Sequence, residues 1–379
     1  MKLFLKAFAI LVGTIVGAGI FSLPFVAQKS GFLVMLFYFA LMAVASTALL
    51  FIYGKICAAT EEKHRLPGYV KKYMGERWEK AVFLVITAGI TGTILAYIII
   101  GGDFLNSFLS PYFGGSSFVY SIVFWALGAL LILFGIKSIS QTELALFAVF
   151  LVVIVVFLIE VIPSIDLSHF KNTNLKFLVL PYGVVLFSLW GSAAIPEINE
   201  MFVGAKEKKP LSKMKKVIVA SVLSSVLIYV LFTFIVLGVS GPATSEEAIS
   251  GLLKTSGEGI IKLGFVFGVI SCFTSFLIMG LTLKKVFWYD IGFSRNFSWF
   301  LVCFLPLILF LLGLTQFVKI ISFTGAVATG AEAVVIILLY KSFLKKKFSY
   351  KMHASLYLLL AVFGAGAVFE ILYFLGLLT

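Results

Sequence analysis

The chain has 379 residues, of which 61% are hydrophobic and 12% charged. A soluble domain is roughly 45–50% apolar and about 25% charged, and one of this length could not hide so much apolar surface. The composition excludes a soluble enzyme, a nucleic-acid binder and a disordered chain, so the net charge of +13 is read as membrane topology.

Apolar runs separated by charge or turn clusters predict eleven membrane helices, at about 6–28, 32–56, 80–104, 117–136, 142–162, 178–201, 215–239, 260–283, 297–313, 316–340 and 354–377. Roughly 20 apolar residues cross a bilayer, and runs this long are helices because barrel strands alternate every second residue. The opening Met-Lys-Leu-Phe-Leu-Lys imitates a signal peptide, but its apolar run continues to Pro24 and Phe25, too long for a signal h-region. It is read as a retained first span. In the basic connection 57–80, Leu66, Tyr69, Val70, Tyr73 and Trp78 leave two readings open, an interfacial helix or a solvated loop. With the N-terminus in the cytoplasm, the alternating connections place 24 of the 30 Lys and Arg inside and 6 outside. That bias supports the span count and puts the C-terminus outside. Cys57, Cys272 and Cys303 show no disulfide or zinc spacing. With no linker in view, residues 1–379 form a single membrane domain.

Two spans carry helix breakers at mid-depth. Span one contains Gly13-Thr-Ile-Val-Gly-Ala-Gly-Ile-Phe-Ser-Leu-Pro24, and span six contains Ser188-Leu-Trp-Gly-Ser-Ala-Ala-Ile-Pro196. Glycine costs about 1 kcal/mol in a helix interior and proline about 3. Backbone unwound at membrane depth is tolerated only where it lines a cavity or is buried in protein; close packing through small residues is the competing account. The pair says more than either part. Spans one and six stand five apart, an odd repeat that inverts the second copy, and matching interrupted spans in two inverted halves point to a transporter binding site. Half-helix N-termini suit a carboxylate and freed carbonyls suit an ammonium or a sodium ion; an α-amino acid carries both charges.

Gly13-Thr-Ile-Val-Gly-Ala-Gly-Ile-Phe-Ser-Leu-Pro-Phe25 resembles the first span of amino acid permeases of the amino acid/polyamine/organocation superfamily, closest to the hydroxy and aromatic amino acid permeases and the amino acid/auxin permeases. Leu66-Pro-Gly-Tyr69, Leu95-Ala-Tyr-Ile-Ile-Ile-Gly-Gly102, Leu186 to Glu197 and Thr274-Ser-Phe-Leu277 are similar to their first inside loop and their third, sixth and eighth spans. The resemblance implies an all-α integral membrane fold of the LeuT type. Its five-plus-five inverted repeats would cover about 6–162 and 178–340, with an extra helix at about 354–377. It implies that the backbone N–H groups around Gly17, Ala18 and Gly19 hold the substrate carboxylate. Carbonyls near Thr14 and Ile15, with Ser188, Leu189, Trp190, Gly191 and Ser192, would meet the ammonium and side chain. Thr91 and Tyr97 of span three are weighed as pocket residues against plain core packing.

The resemblance also implies a candidate sodium site. Gly13 and Val16 match the span-one positions, and Ser271, Thr274 and Ser275 match those of span eight, at i, i+3, i+4 spacing on one helical face. Oxygen ligands suit a hard cation; hydroxyls bonded back to their own helix are the alternative. A proton route needs a titratable group, and carboxylates inside spans are functional candidates. Glu332 lies roughly 20 Å into span ten at 1.5 Å per residue, while Glu197 and Glu200 stand one turn apart near the inner end of span six, facing a vestibule or pairing with Lys206 or Lys208. Glu370 falls near the outer interface as a structural group. The hydroxyls do not decide between the ions: the coupling ion is sodium or a proton, with a slight lean to sodium and Glu332 the best proton-side candidate. The expected protein is not an enzyme and takes no cofactor: it is a multi-pass cell-membrane symporter that imports neutral L-amino acids by alternating access. Aromatic or small hydroxy substrates come from the resemblance alone. An exchanger or a membrane amino acid sensor on the same fold is the alternative. The sequence leaves the oligomeric state open.

Overall fold

The structure is a computed structural model that describes residues 2–134, 152, 155–156, 159, 162–254, 258–348 and 353–374. The predicted span 142–162 lies almost wholly outside the described residues, as do Lys137 and positions 375–377. The other ten spans are helices close to their expected places. Span one is Lys2–Ile15 with Gly19–Ser30, span two Phe32–Ala58, span three Glu76–Phe113 and span four Ser117–Phe134. Span six is Pro181–Ser188 with Ala194–Gly204, span seven Pro210–Ser240, span eight Glu258–Lys285 and span nine Arg295–Leu311. Span ten runs Phe317–Phe323, then a π-helical turn Thr324–Thr329, then Gly330–Phe348; span eleven is Ala354–Phe374. Some ends run well past the apolar stretch because charged and aromatic flanks continue the helix: span three begins at Glu76 and ends at Phe113 rather than 80–104.

Several described connections gather at two ends of the helices. At one end, Lys346 Nζ donates to Lys72 O at 2.9 Å, Lys347 Nζ to Ala59 O at 2.5 Å, and Arg65 reaches Glu200 below span six. At the other, Asn174 N–H donates to Ser30 O at 3.2 Å and Asp166 N–H to Gly238 O at 3.0 Å. The 57–80 connection folds as a helix, Leu66–Met74, whose Leu66, Pro67, Gly68, Tyr69 and Val70 are buried. It docks on the protein instead of lying free.

In lipid the driving force between helices is close packing and interhelical hydrogen bonding rather than burial from water. Spans three and four meet through Gly101 and Gly102, where a Cβ on Gly102 would stand 2.6 Å from Ser121 Cα. Spans four and nine exchange indole bonds: Trp125 Nε1 donates to Cys303 O and Trp299 Nε1 to Ala129 O, both at 2.8 Å. Leu33, Phe37, Leu41 and Val44 of span two stay exposed as one stripe of a helix that is apolar all round, the signature of a lipid-facing wall. Span eleven is tied to span ten by Ser322 Oγ, which donates to the buried Glu370 Oε1 at 2.5 Å.

Gly102→Ala tests this packing. The added methyl forces spans three and four apart, at the roughly 1–3 kcal/mol typical of overpacking. The melting midpoint of detergent-solubilised protein should fall by several degrees in a thermal-shift assay.

Candidate functional site

Span one stops at Ile15 and resumes at Gly19, its halves bent by 51°; span six stops at Ser188 and resumes at Ala194. Shorter bonds appear at both gaps. Gly17 N–H donates to Ile15 O at 3.0 Å and Phe21 N–H to Ala18 O at 3.1 Å; Ala194 N–H donates to Gly191 O at 3.2 Å and Ile195 N–H to Ser192 O at 3.1 Å. Pro196 then sits in the first turn of the second half, where no N–H is needed.

The two gaps touch. A Cβ on Gly19 would stand 2.3 Å from Ser188 Oγ and 3.0 Å from Ser188 Cα. One on Gly17 would stand 2.6 Å from Tyr97 Oη and 3.2 Å from Ser275 Oγ. Both glycines therefore serve close approach, bringing spans three, six and eight onto the break of span one. Tyr229, buried in span seven, completes the junction: its hydroxyl lies 2.7 Å from Ile15 O and 2.7 Å from Ser188 O, the carbonyls that end the two first halves. A phenol has one proton, so it donates to one carbonyl at a time; Ile15 O also accepts from Gly17 N–H.

A cleft of about 880 Å³, its open mouth included, runs from Gly17, Gly19 and Tyr97 past Trp190 and Ser192 to Arg65. Beyond the break the path is shut by aromatic rings. Phe21 packs on Phe104 at 4.7 Å, Phe232 at 5.9 Å and Phe267 at 6.5 Å between centroids. At the mouth, Arg65 Nη1 donates to Glu200 Oε1 at 2.7 Å and stands 3.6 Å from Glu197, which also accepts from Lys285 Nζ at 2.9 Å. These ion pairs join the 57–66 connection to spans six and eight. Glu197 and Glu200 thus pair with Arg65 and Lys285 rather than with Lys206 or Lys208.

Glu332 enters from span ten. The π turn Thr324–Thr329 just before it adds a residue to the helix turn, a distortion common at functional sites. Glu332 is half-buried because it faces the cleft. Its Oε2 accepts from Trp190 Nε1 at 3.0 Å and its Oε1 from Ser192 Oγ at 2.5 Å. Span ten is thereby fastened to the unwound linker of span six.

Of the residues singled out in the sequence, Thr14, Ile15, Gly17, Gly19, Tyr97, Trp190, Ser192 and Glu332 line the cleft. Ala18, Ser188, Leu189 and Gly191 are buried; Ser188 Oγ bonds back to Val184 O at 2.8 Å, and a Cβ on Gly191 would meet Leu11 and Ile15. Thr91 is buried away from the cleft lining, where Thr93 stands instead. Thr93 and Tyr97 are one turn apart, while Thr91 lies about 200° round the helix from Thr93. In the candidate sodium site, Ser275 borders Gly17, whereas Thr274 Oγ1 donates to its own helix at Ile270 O and Ser271 O, 3.1 and 3.0 Å away. Ser271 and Val16 are buried and Gly13 half-buried. Tyr53, Thr93, Phe187, Arg65 and Tyr229 were missed. A tyrosine or threonine inside an apolar helix gives no local signal, and Arg65 reads as one more basic loop residue.

A sequence model of the tryptophan/tyrosine permease family matches residues 1–373. A tyrosine-specific transport system 1 of Haemophilus influenzae is 25% identical over 298 residues, 73% of this chain and 70% of that protein. A glutamine transporter 2 of Aliivibrio fischeri is 23% identical over 372 residues, 96% and 94% of the two chains. Among solved structures, Mhp1, a nucleobase-cation-symport-1 family transporter in a closed conformation with bromovinylhydantoin bound, aligns with TM-score 0.70 at 12% identity, over 94% of this chain and 80% of that one. MhsT in complex with L-phenylalanine aligns with TM-score 0.66 at 14% identity, over 99% and 98%. The fold is therefore the all-α LeuT type.

The cleft's direction is open to a labelling test. Cys57, Cys272 and Cys303 are all buried, so background reaction is low. Thr93→Cys, on the cleft wall, should react with a small maleimide at least about tenfold faster than Phe104→Cys, behind the aromatic seal, when both are followed by mass spectrometry. Accessibility governs thiol reaction rates here.

Proposed function

The chain belongs to the tryptophan/tyrosine permease family and is an amino acid transporter; on that premise we propose that it is a secondary active transporter importing neutral L-amino acids by alternating access. The observation that carries this reading is the junction of the two helix breaks, with Gly19 against Ser188 and one phenol between the carbonyls of Ile15 and Ser188. N–H groups around Gly17, Ala18 and Gly19 take the substrate carboxylate at the start of a half-helix. Carbonyls at Thr14 and Ile15 and the stretch Ser188–Ser192 take the ammonium, in the manner of broken transporter helices. The relatives named for tyrosine and glutamine support uncharged substrates, aromatic ones among them.

In this reading the two repeats span about 6–162 and 178–340, with 354–377 outside them. The basic connections and the N-terminus face the cytoplasm, the C-terminus faces out, and the protein sits in the cell membrane. The cleft, lined as far as Arg65 and shut at Phe21, is then the inward-facing state. The driving ion is sodium, held by Gly13, Val16, Ser271, Thr274 and Ser275, or a proton carried by Glu332; the Glu197 and Glu200 ion pairs brace the inner mouth.

Purified protein in proteoliposomes, with sodium and pH gradients imposed separately, tests this. Saturable accumulation of a neutral amino acid under one gradient is expected, and absence of gradient-driven uptake overturns the reading. Gly19→Ala, whose methyl meets Ser188 backbone, should lower uptake at least about tenfold without changing the gel-filtration profile, since a misplacement near 1 Å at a binding site is this costly. Glu332→Gln should abolish pH-driven uptake if the proton is the driving ion.

A further inference from the structure

We propose that Glu332 is a specificity residue: its carboxylate accepts a hydrogen bond from a donor on the far end of the substrate side chain. The inference rests on the reading of the cleft as an amino acid site. If the break junction takes the zwitterion's two charges, the side chain must extend along the remaining wall. That wall is apolar and aromatic, with Ile90, Phe187, Trp190 and Ala328 among its members. Glu332 is the sole carboxylate on it among the described residues.

An ionised carboxylate offers about four acceptor positions. Trp190 and Ser192 fill two. The described residues lining the cleft bring no lysine to it, and the one arginine, Arg65, is paired with Glu200 and Glu197 at the mouth. Glu332 borders the cavity and keeps part of its surface, which leaves its remaining lone pairs to a donor that enters there. A structural tie between spans ten and six would be served by a neutral amide, without the cost of a carboxylate at membrane depth. A substrate donor uses what the tie leaves over. A phenol O–H, an indole N–H and a carboxamide N–H each supply one at the end of a largely apolar or neutral side chain; a phenyl or an aliphatic group does not. Such a site rejects a substrate that lacks the donor because its own polar group is then left without a partner.

Thermal stabilisation of the full-length solubilised protein by matched ligand pairs tests the proposal without any mutation. Tyrosine should act at concentrations at least about tenfold below phenylalanine and O-methyltyrosine, and tryptophan at least about tenfold below 1-methyltryptophan, the range of a hydrogen bond to a charged group. Equal potency within both pairs overturns it. In Glu332→Met the preference within each pair should collapse, and Glu332→Gln, which keeps an acceptor, should retain part of it. If Glu332 instead holds the α-ammonium, all members weaken together and the pair ratios persist, which also overturns it. Should no amino acid stabilise the wild-type protein, the transporter reading fails; should all do so without regard to the donor, this inference fails alone.

Discussion

A membrane interior offers no water to an unpaired peptide group, and everything at the centre of this protein answers to that constraint. Two helices are interrupted where the cost of a free N–H or carbonyl is several kcal/mol. They persist because each interruption lies against the other and against protein on every side except the cleft. Tyr229 meets the end carbonyl of both first halves. Its single proton serves one of them at a time, and Ile15 O also accepts from Gly17 N–H at 3.0 Å.

Steric demands follow from the same junction. Gly19 has no room for a methyl group beside Ser188, and Gly17 none beside Tyr97 and Ser275. Spans three, six, seven and eight thus converge on three residues of span one. On one side of that point Phe21 meets Phe104 of span three and Phe232 of span seven edge to face, a geometry worth more than their area alone, and Phe267 of span eight at a tilt. On the other, the walls stay apart down to Arg65. On the proposed alternating-access reading, the asymmetry between a sealed aromatic end and an ion-paired mouth is what the transport cycle exchanges.

Much of this was legible in the sequence, and the reasons for the rest are physical. Helix breakers announce themselves through composition, so the gaps at Gly17–Gly19 and Gly191–Ser192 could be read directly. Glu332 was legible as a carboxylate at depth but not as the partner of Trp190 and Ser192, because 140 and more residues separate them. Tyr229 was invisible for the opposite reason: in a helix apolar all round, a tyrosine reads as packing until its hydroxyl is placed. Thr91 was singled out where Thr93 lines the cleft, because a span with no polar face carries no periodicity to choose between them. For Glu197 and Glu200 of span six the sequence left a vestibule or the nearby Lys206 and Lys208 as readings, and the fold brings Arg65 and Lys285 to them instead.

Span ten unites these strands. Its π turn turns Glu332 toward the cleft, and the carboxylate then grips the linker of span six through an indole and a hydroxyl. Whatever binds the remaining lone pairs competes with, or completes, that grip. On the proposed reading of Glu332, a ligand that donates to it does more than fill a pocket: it redistributes the hydrogen bonds to Trp190 and Ser192, which lie in the linker between the halves of span six. On that reading, recognition of the side chain and the geometry of a broken helix are set by the same two oxygen atoms, which couples selectivity to movement.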